Sequence, residues 1–145
     1  MTKLKRYLRS LCKYVILFLI GGGVYYAVEL LWRGYSHWSM GVVGGICFIL
    51  VGLLNSQYTW SMSLTSQMFI AGFIITAVEL IAGLILNVWL GLDVWDYSTQ
   101  AYNFLGQICM TYFGLWQFLS VVAIFLYDYI DYYVFDGDKP RYTLI

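Results

Sequence analysis

Four long apolar stretches, separated by short polar segments, dominate the pattern of hydrophobic and polar positions along the chain. These stretches lie at residues 14–34, 40–57, 66–90 and 101–126. No Asp, Glu, Lys or Arg occurs in residues 34–78 or 97–127. Because about 20 apolar residues cross the hydrocarbon core of a bilayer as a helix, the pattern predicts four membrane-spanning helices.

The apolar runs predict helices rather than barrel strands. VILFLI (15–20) and VVAIFL (121–126) lack the alternation of apolar and polar positions that barrel strands show. We therefore predict an all-α integral membrane protein, a four-transmembrane-helix bundle. Of the 145 residues, 61% are hydrophobic, 20% aromatic and only 11% charged. This composition excludes an ordinary soluble domain, a disordered chain and a nucleic-acid-binding protein.

The charged residues divide the chain into three segments. We predict a basic cytoplasmic lead-in (1–13), the four-helix transmembrane domain (14–126) and an acidic, aromatic cytoplasmic tail (127–145). The lead-in carries five basic residues and the tail two, whereas the predicted outer loops carry only Arg33. Because cytoplasmic loops are enriched in Lys and Arg, both termini are predicted to face the cytoplasm. No A-x-A-like cleavage site follows the lead-in, so we expect an uncleaved first span.

Short sequences recur between the two halves of the chain. Residues 27–30 and 77–80 both read AVEL, and GGIC (44–47) is echoed by GQIC (106–109). The echoes fit a tandem pair of helical hairpins, and copies with two spans each would be parallel rather than inverted repeats. The alternative is a chance match in a strongly apolar composition.

Glu79 is the most costly residue in the predicted spans. It lies near the middle of the third span with no basic residue within one turn, and an ionisable group at a helix centre inserts unfavourably. Gly72, Thr76 and Gly83 share its helical face, and Asn87 lies close to it. We expect this face to point into the bundle. Glu79 is then either a protonated group that hydrogen-bonds a neighbouring helix, or a group that binds a ligand or a proton.

Glu29 lies in the outer third of the first span, four residues before Arg33. This is the spacing of an ion pair within a helix, so a paired charge near the membrane interface is one interpretation. The other interpretation uses the AVEL echo, which places Glu29 and Glu79 in equivalent helices. The two residues would then face the same interior seam. Arg33 would then pair with Glu29 and leave Glu79 without a cation.

A polar stripe marks the predicted fourth span. Its members, at helical spacing, are Asn103, Gln107, Met110, Gly114 and Gln117. Because unsatisfied amides are costly in hydrocarbon, the stripe should face protein or water, and Asn103 or Gln107 is the predicted partner of Glu79. In the second span, Gly41-x-x-x-Gly45 predicts a close approach of a neighbouring helix. Helix packing alone is the alternative role for all these groups.

The second outer loop concentrates acids and aromatic rings, with Asp93, Trp95 and Asp96 close together. These residues could cap a cavity or receive a cation, or they could belong to the aromatic belt of the interface. The chain has one histidine, three cysteines without a CxxC pair, and no phosphate-loop, GxSxG or HExxH motif. We therefore expect no metal, no cofactor and no enzyme activity.

The chain resembles a family of small bacterial membrane proteins described as "putative ABC-transporter type IV". The resemblance covers most of the chain and is carried by Glu79, WDYS (95–98), Asn103, GQIC (106–109) and Trp116. Many members have a proline-containing turn in the second span, where this chain reads GGICF without proline. The resemblance implies a permease-like role in a bacterial inner membrane. ATP-driven transport would then require a separate ATPase subunit.

The leading hypothesis is a transport-related membrane protein, either a permease-like subunit or a small oligomeric transporter. Its intramembrane polar cluster comprises Glu29, Glu79, Asn87, Asn103 and Gln107. Four helices leave little room for a central channel, so we expect a homo-oligomer in the bilayer, with a dimer favoured. The alternative is a scaffold or accessory subunit whose polar groups only stabilise helix packing. A membrane enzyme that uses Asp93 and Asp96 is a third hypothesis.

Overall fold

The computed structural model describes residues 2–58 and 60–145 and is built from four long helices. They are α1 (Lys3–Arg33), α2 (Trp38–Tyr58), α3 (Leu64–Gly83) and α4 (Met110–Phe135), and a π-helical segment (Leu84–Trp89) continues α3. Four candidate spans are long and apolar enough to cross a membrane, and no strand occurs in the described ranges. The predicted all-α four-helix bundle is therefore confirmed.

The fourth helix differs from its sequence prediction. The prediction starts this span at residue 101, whereas α4 begins at Met110 and continues to Phe135. Residues 101–109 belong to a loop in which three residues have positive φ values, among them Leu105 at 54°. A right-handed helix cannot pass through such backbone conformations. The predicted polar stripe is therefore not one helix face.

The second helix occupies the centre of the bundle. It packs along α1 and also contacts α3 and α4, and α3 packs on α4. By contrast, α1 and α4 touch each other over a short stretch only. These pairings are those of two consecutive helical hairpins, α1–α2 and α3–α4, joined through α2.

Glycines bring α1 and α2 close together. A Cβ at Gly22 would collide with the carbonyl oxygen of Gly41, and a Cβ at Gly45 would meet the Phe18 ring at 2.7 Å. At Gly23, a Cβ would meet no described atom within 4 Å. Small residues at an interface allow two membrane helices to approach closely. The glycine pattern of the second span thus marks the contact with α1.

The N-terminal part of α1 is attached to the C-terminal part of α4. Leu17 forms a buried cluster with Phe48 of α2 and Tyr127 of α4, in which the Phe48 and Tyr127 rings meet edge to face at 5.4 Å. Nearer the start of α1, two ion pairs join it to the end of α4: Lys13 to Asp131 at 2.5 Å and Arg9 to Asp136 at 2.8 Å. These contacts close one end of the bundle.

The tail after α4 folds back against the same end. The Leu64 N–H donates to the Thr143 carbonyl at 2.7 Å. The buried carboxylate of Asp128 accepts hydrogen bonds from Asn55 Nδ2 at 2.6 Å and from the Tyr142 hydroxyl at 2.8 Å. Burial and the bond to Asp128 raise the pKa of Tyr142 above its ordinary value, so this hydroxyl remains a donor.

Candidate functional site

Glu79 lies inside the bundle, as its sequence context predicts, and is only 6% exposed. Its Oε1 accepts a hydrogen bond from the Tyr97 hydroxyl at 2.8 Å, and its Oε2 accepts one from Trp116 Nε1 at 2.9 Å. The prediction that Asn103 or Gln107 is the partner of Glu79 is therefore wrong. Both belong to the loop before α4, where they form other hydrogen bonds.

The two groups that bind Glu79 are neutral donors held by aromatic packing. An indole N–H can only donate. Burial and the neighbouring Glu79 carboxylate raise the pKa of Tyr97 above its ordinary value, so its hydroxyl keeps the proton that it donates. The Tyr97 ring stacks on Tyr112 at 4.6 Å, and Tyr112 lies 6.3 Å from Trp116. Within the described chain, Glu79 forms no ion pair.

A cavity of about 150 Å³ opens beside Glu79. Apart from this carboxyl group, its walls are mainly apolar side chains of α1, α2 and α4. A second cavity of about 350 Å³ lies nearer the C-terminal end of α1. Both cavities are lined by Tyr25 and Val28 of α1 and by Trp116 and Leu119 of α4. We call them the inner and outer cavities of the α1–α4 cleft.

Glu29 lines the outer cavity and is paired, as predicted from its spacing to Arg33. Its Oε1 lies 2.7 Å from Arg33 Nη2, and its Oε2 accepts a hydrogen bond from the Ser36 hydroxyl at 2.7 Å. Arg33 Nη1 also donates to the Val94 carbonyl at 3.2 Å, which links α1 to the outer loop. Glu29 therefore lines the outer cavity and Glu79 the inner one, and the two cavities share walls from α1 and α4.

A second group of predicted site residues lies close together at the outer loop: Asn87, Gln107 and Trp95. Asn87 Nδ2, on the π-helical segment, donates to Gln107 Oε1 at 2.8 Å, and Asn87 Oδ1 accepts from the Val94 N–H at 2.6 Å. Trp95 Nε1 donates to the backbone carbonyl of Gln107 at 3.0 Å, and the Trp95 side chain lines the inner cavity. The two amides hold the loop against the end of α3.

Asp93, Asp96 and Asn103 are exposed on the outer loop and do not reach Glu79. Asp96 accepts from the Ser98 N–H at 2.8 Å and from its hydroxyl at 3.0 Å, which holds the pKa of Asp96 below its ordinary value. Asn103 Oδ1 accepts from the Gly106 N–H at 3.1 Å. Such side-chain bonds to nearby backbone groups shape turns. Asp96 and Asn103 therefore stabilise turns of the loop.

Sequence reasoning missed Tyr25, whose ring lies 6.0 Å from that of Trp116 at an angle of 46°. The available signal was its position four residues before Glu29, on the same face of α1. Tyr97 and Trp116 belong to the motifs that carry the family resemblance, yet no pattern in the sequence indicated that both donate to Glu79.

Comparison with known proteins yields one family. A family model described as "Putative ABC-transporter type IV" matches residues 16–139. The matched range includes Glu79, Tyr97, Trp116 and the side chains that line both cavities of the cleft. No curated protein and no solved structure matches the chain.

Proposed function

Because the chain belongs to the family described as "Putative ABC-transporter type IV", we propose that it is a transport-related membrane protein that binds its solute in the α1–α4 cleft. The observation that carries the proposal is the buried carboxyl group of Glu79, which lines a cavity and accepts hydrogen bonds from neutral donors. Small-molecule sites are apolar clefts with a few placed polar groups. Ionisable groups within a membrane mark solute and ion pathways.

The cleft provides an entrance and a binding position in this proposal. The outer cavity, bordered by the Glu29–Arg33 pair, is the entrance, and the inner cavity beside Glu79 is the binding position. Tyr25 and Trp116 line both cavities, so a solute that moves between the two passes their rings. The link from Arg33 to the outer loop keeps the loop close to the entrance.

The proposed role also defines partners and location. The chain has no phosphate-loop motif, so a permease-like role driven by ATP requires a separate ATPase subunit, whereas a homodimer is the arrangement for a small autonomous transporter. No reaction on the solute is involved, and we propose no enzyme activity. The basic residues near the N-terminus support cytoplasmic termini. The location that we propose is a bacterial inner membrane.

Solute movement in everted membrane vesicles from producing cells tests the proposal. Cationic, anionic and neutral fluorescent probes are offered with ATP or with a proton gradient, and vesicles without the protein give the background. The Glu79→Gln variant is compared with Asp128→Asn, which alters another buried carboxylate that accepts two hydrogen bonds but is not among the described residues that line either cavity.

We expect at least one probe to move in vesicles with the wild type and with Asp128→Asn, and to stop moving with Glu79→Gln. Equal movement of all three probes with and without the protein would contradict the transport role.

A scaffold or accessory role is the second candidate. It is favoured by the polar pairs that satisfy each other away from the cleft, Asn87 with Gln107 and Asn55 with Asp128. In this role Glu79→Gln lowers stability or oligomer affinity, and no solute moves in the vesicle assay.

A further inference from the structure

The charges of the α1–α4 cleft are not balanced when Glu79 is ionised. Arg33 is engaged by Glu29 at 2.7 Å and by the Val94 carbonyl at 3.2 Å. Every other Lys and Arg of the sequence lies within residues 1–13 or at positions 139 and 141. The described part of the chain therefore supplies no cation to Glu79. A cationic ligand would provide this charge, either by pairing with the carboxylate or by displacing its proton.

Aromatic rings surround the same position. Tyr25 and Trp116, with ring centroids 6.0 Å apart, line both cavities, and Trp95 lines the inner one. The faces of such rings attract an organic cation within about 6 Å, most strongly where water is excluded. An anion would meet a carboxyl group here, and a neutral ligand would gain nothing from the charge of Glu79.

The volume of the inner cavity indicates the size of the ligand. A dry cavity of about 150 Å³ in a protein core holds one benzene molecule, and the inner cavity has about this volume. The outer cavity adds about 350 Å³ for a further part of the molecule. Most of the remaining walls are apolar, which favours a ligand with hydrocarbon around its charge.

From this geometry we infer that the α1–α4 cleft binds a hydrophobic, monovalent organic cation, with the cationic group beside Glu79. The inference rests on the proposed function, since it names the solute class of the same cleft. The cationic group contacts the carboxylate and the rings of Tyr25 and Trp116, and the hydrocarbon part contacts the apolar walls.

Binding of benzyltrimethylammonium to the purified protein in lipid nanodiscs tests the inference. Its neutral isostere, neopentylbenzene, has the same shape without the charge, and empty nanodiscs measure partition into lipid. Calorimetry is performed on the wild type, Glu79→Gln and Asp128→Asn, each with its thermal unfolding recorded to show that it is folded.

We expect the wild type and Asp128→Asn to bind the cation with the same Kd. Binding should be at least tenfold weaker for Glu79→Gln, and the neutral isostere should bind the wild type at least tenfold more weakly than the cation. The inference is overturned if the wild type does not bind the cation, if folded Glu79→Gln binds it as tightly, or if the isostere binds equally well.

The outcomes also separate this inference from the proposed function. Binding of the cation that depends on Glu79, without movement of any probe in the vesicle assay, would support the site and contradict transport. Movement of an anionic or neutral probe, without binding of benzyltrimethylammonium, would support transport and overturn the cation as the ligand.

Discussion

Substitution of Glu79 by Gln and by Ala separates the size of this side chain from its hydrogen bonds. Trp116 Nε1 can only donate, whereas the Tyr97 hydroxyl can also accept. A glutamine in the same position therefore satisfies both neighbours, since its carbonyl oxygen accepts from Trp116 and its amide group donates to Tyr97. An alanine leaves both buried groups without a partner and creates a void where the carboxyl group was.

The structure allows the two costs to be calculated. A side-chain hydrogen bond in a membrane protein contributes about 0.6 kcal/mol on average and up to about 1.7 kcal/mol. The loss of both bonds to Glu79 thus costs about 1–3 kcal/mol, and the void adds on the order of 1 kcal/mol. We expect Glu79→Ala to lower the free energy of unfolding by about 2–4 kcal/mol and Glu79→Gln by less than about 1 kcal/mol.

Unfolding by increasing SDS in mixed micelles measures these free energies. The control is a double-mutant cycle of Glu79→Ala with Trp116→Phe, because phenylalanine keeps an aromatic ring but has no N–H. We expect a coupling energy of about 0.6–1.7 kcal/mol between the two positions. Equal destabilisation by Gln and Ala, or a coupling energy of zero, would refute the hydrogen-bonded arrangement described for Glu79.

Three further substitutions test the packing of the bundle and of its C-terminal tail. Gly22→Ala should destabilise the protein by about 1–3 kcal/mol, because its Cβ meets the backbone of Gly41. Gly23→Ala, which faces open space, should be neutral or stabilising by up to about 1 kcal/mol in the same SDS titration, and the reverse order would contradict the packing. Tyr142→Phe removes one donor to Asp128 and should cost about 0.5–1.5 kcal/mol, with faster trypsin cleavage of the tail. An unchanged cleavage rate would show that this bond does not hold the tail.

The hydrophobic pattern predicted the helical architecture well, and it failed where the chain is apolar but not helical. Residues 101–109, the last part of the loop before α4, are uncharged, so hydropathy extends the fourth span back to residue 101. What ends the helix there is local backbone conformation, including a positive φ at Leu105. The loop is also held by Asn87, which donates to Gln107 from 20 residues earlier in the sequence. Hydropathy contains neither kind of information.

The candidate site was predictable where its interactions are local. The Glu29–Arg33 pair follows from spacing within one helix. The interior position of Glu79 follows from the cost of an ionisable group in lipid and from the small residues on its face. Its partners could not be derived, because Tyr97 reaches Glu79 only through the path of the outer loop. Tyr25 was missed because a tyrosine in a span costs little, although it lies four residues before Glu29 on the same face of α1.

The length of α1 carries two of its ion pairs with the end of α4 beyond the hydrocarbon core of a bilayer. At 1.5 Å per residue, its 31 residues measure about 46 Å, whereas the hydrocarbon core is about 30 Å thick. The N-terminal turns therefore extend beyond the hydrocarbon, where Arg9 pairs with Asp136 and Lys13 with Asp131. The first pair, with side chains 65% and 87% exposed, is screened by salt, and the second, 23% and 16% exposed, is screened less. Because both pairs join the ends of the two helices that border the cleft, we expect the salt concentration on one side of the membrane to change how firmly these ends are held together.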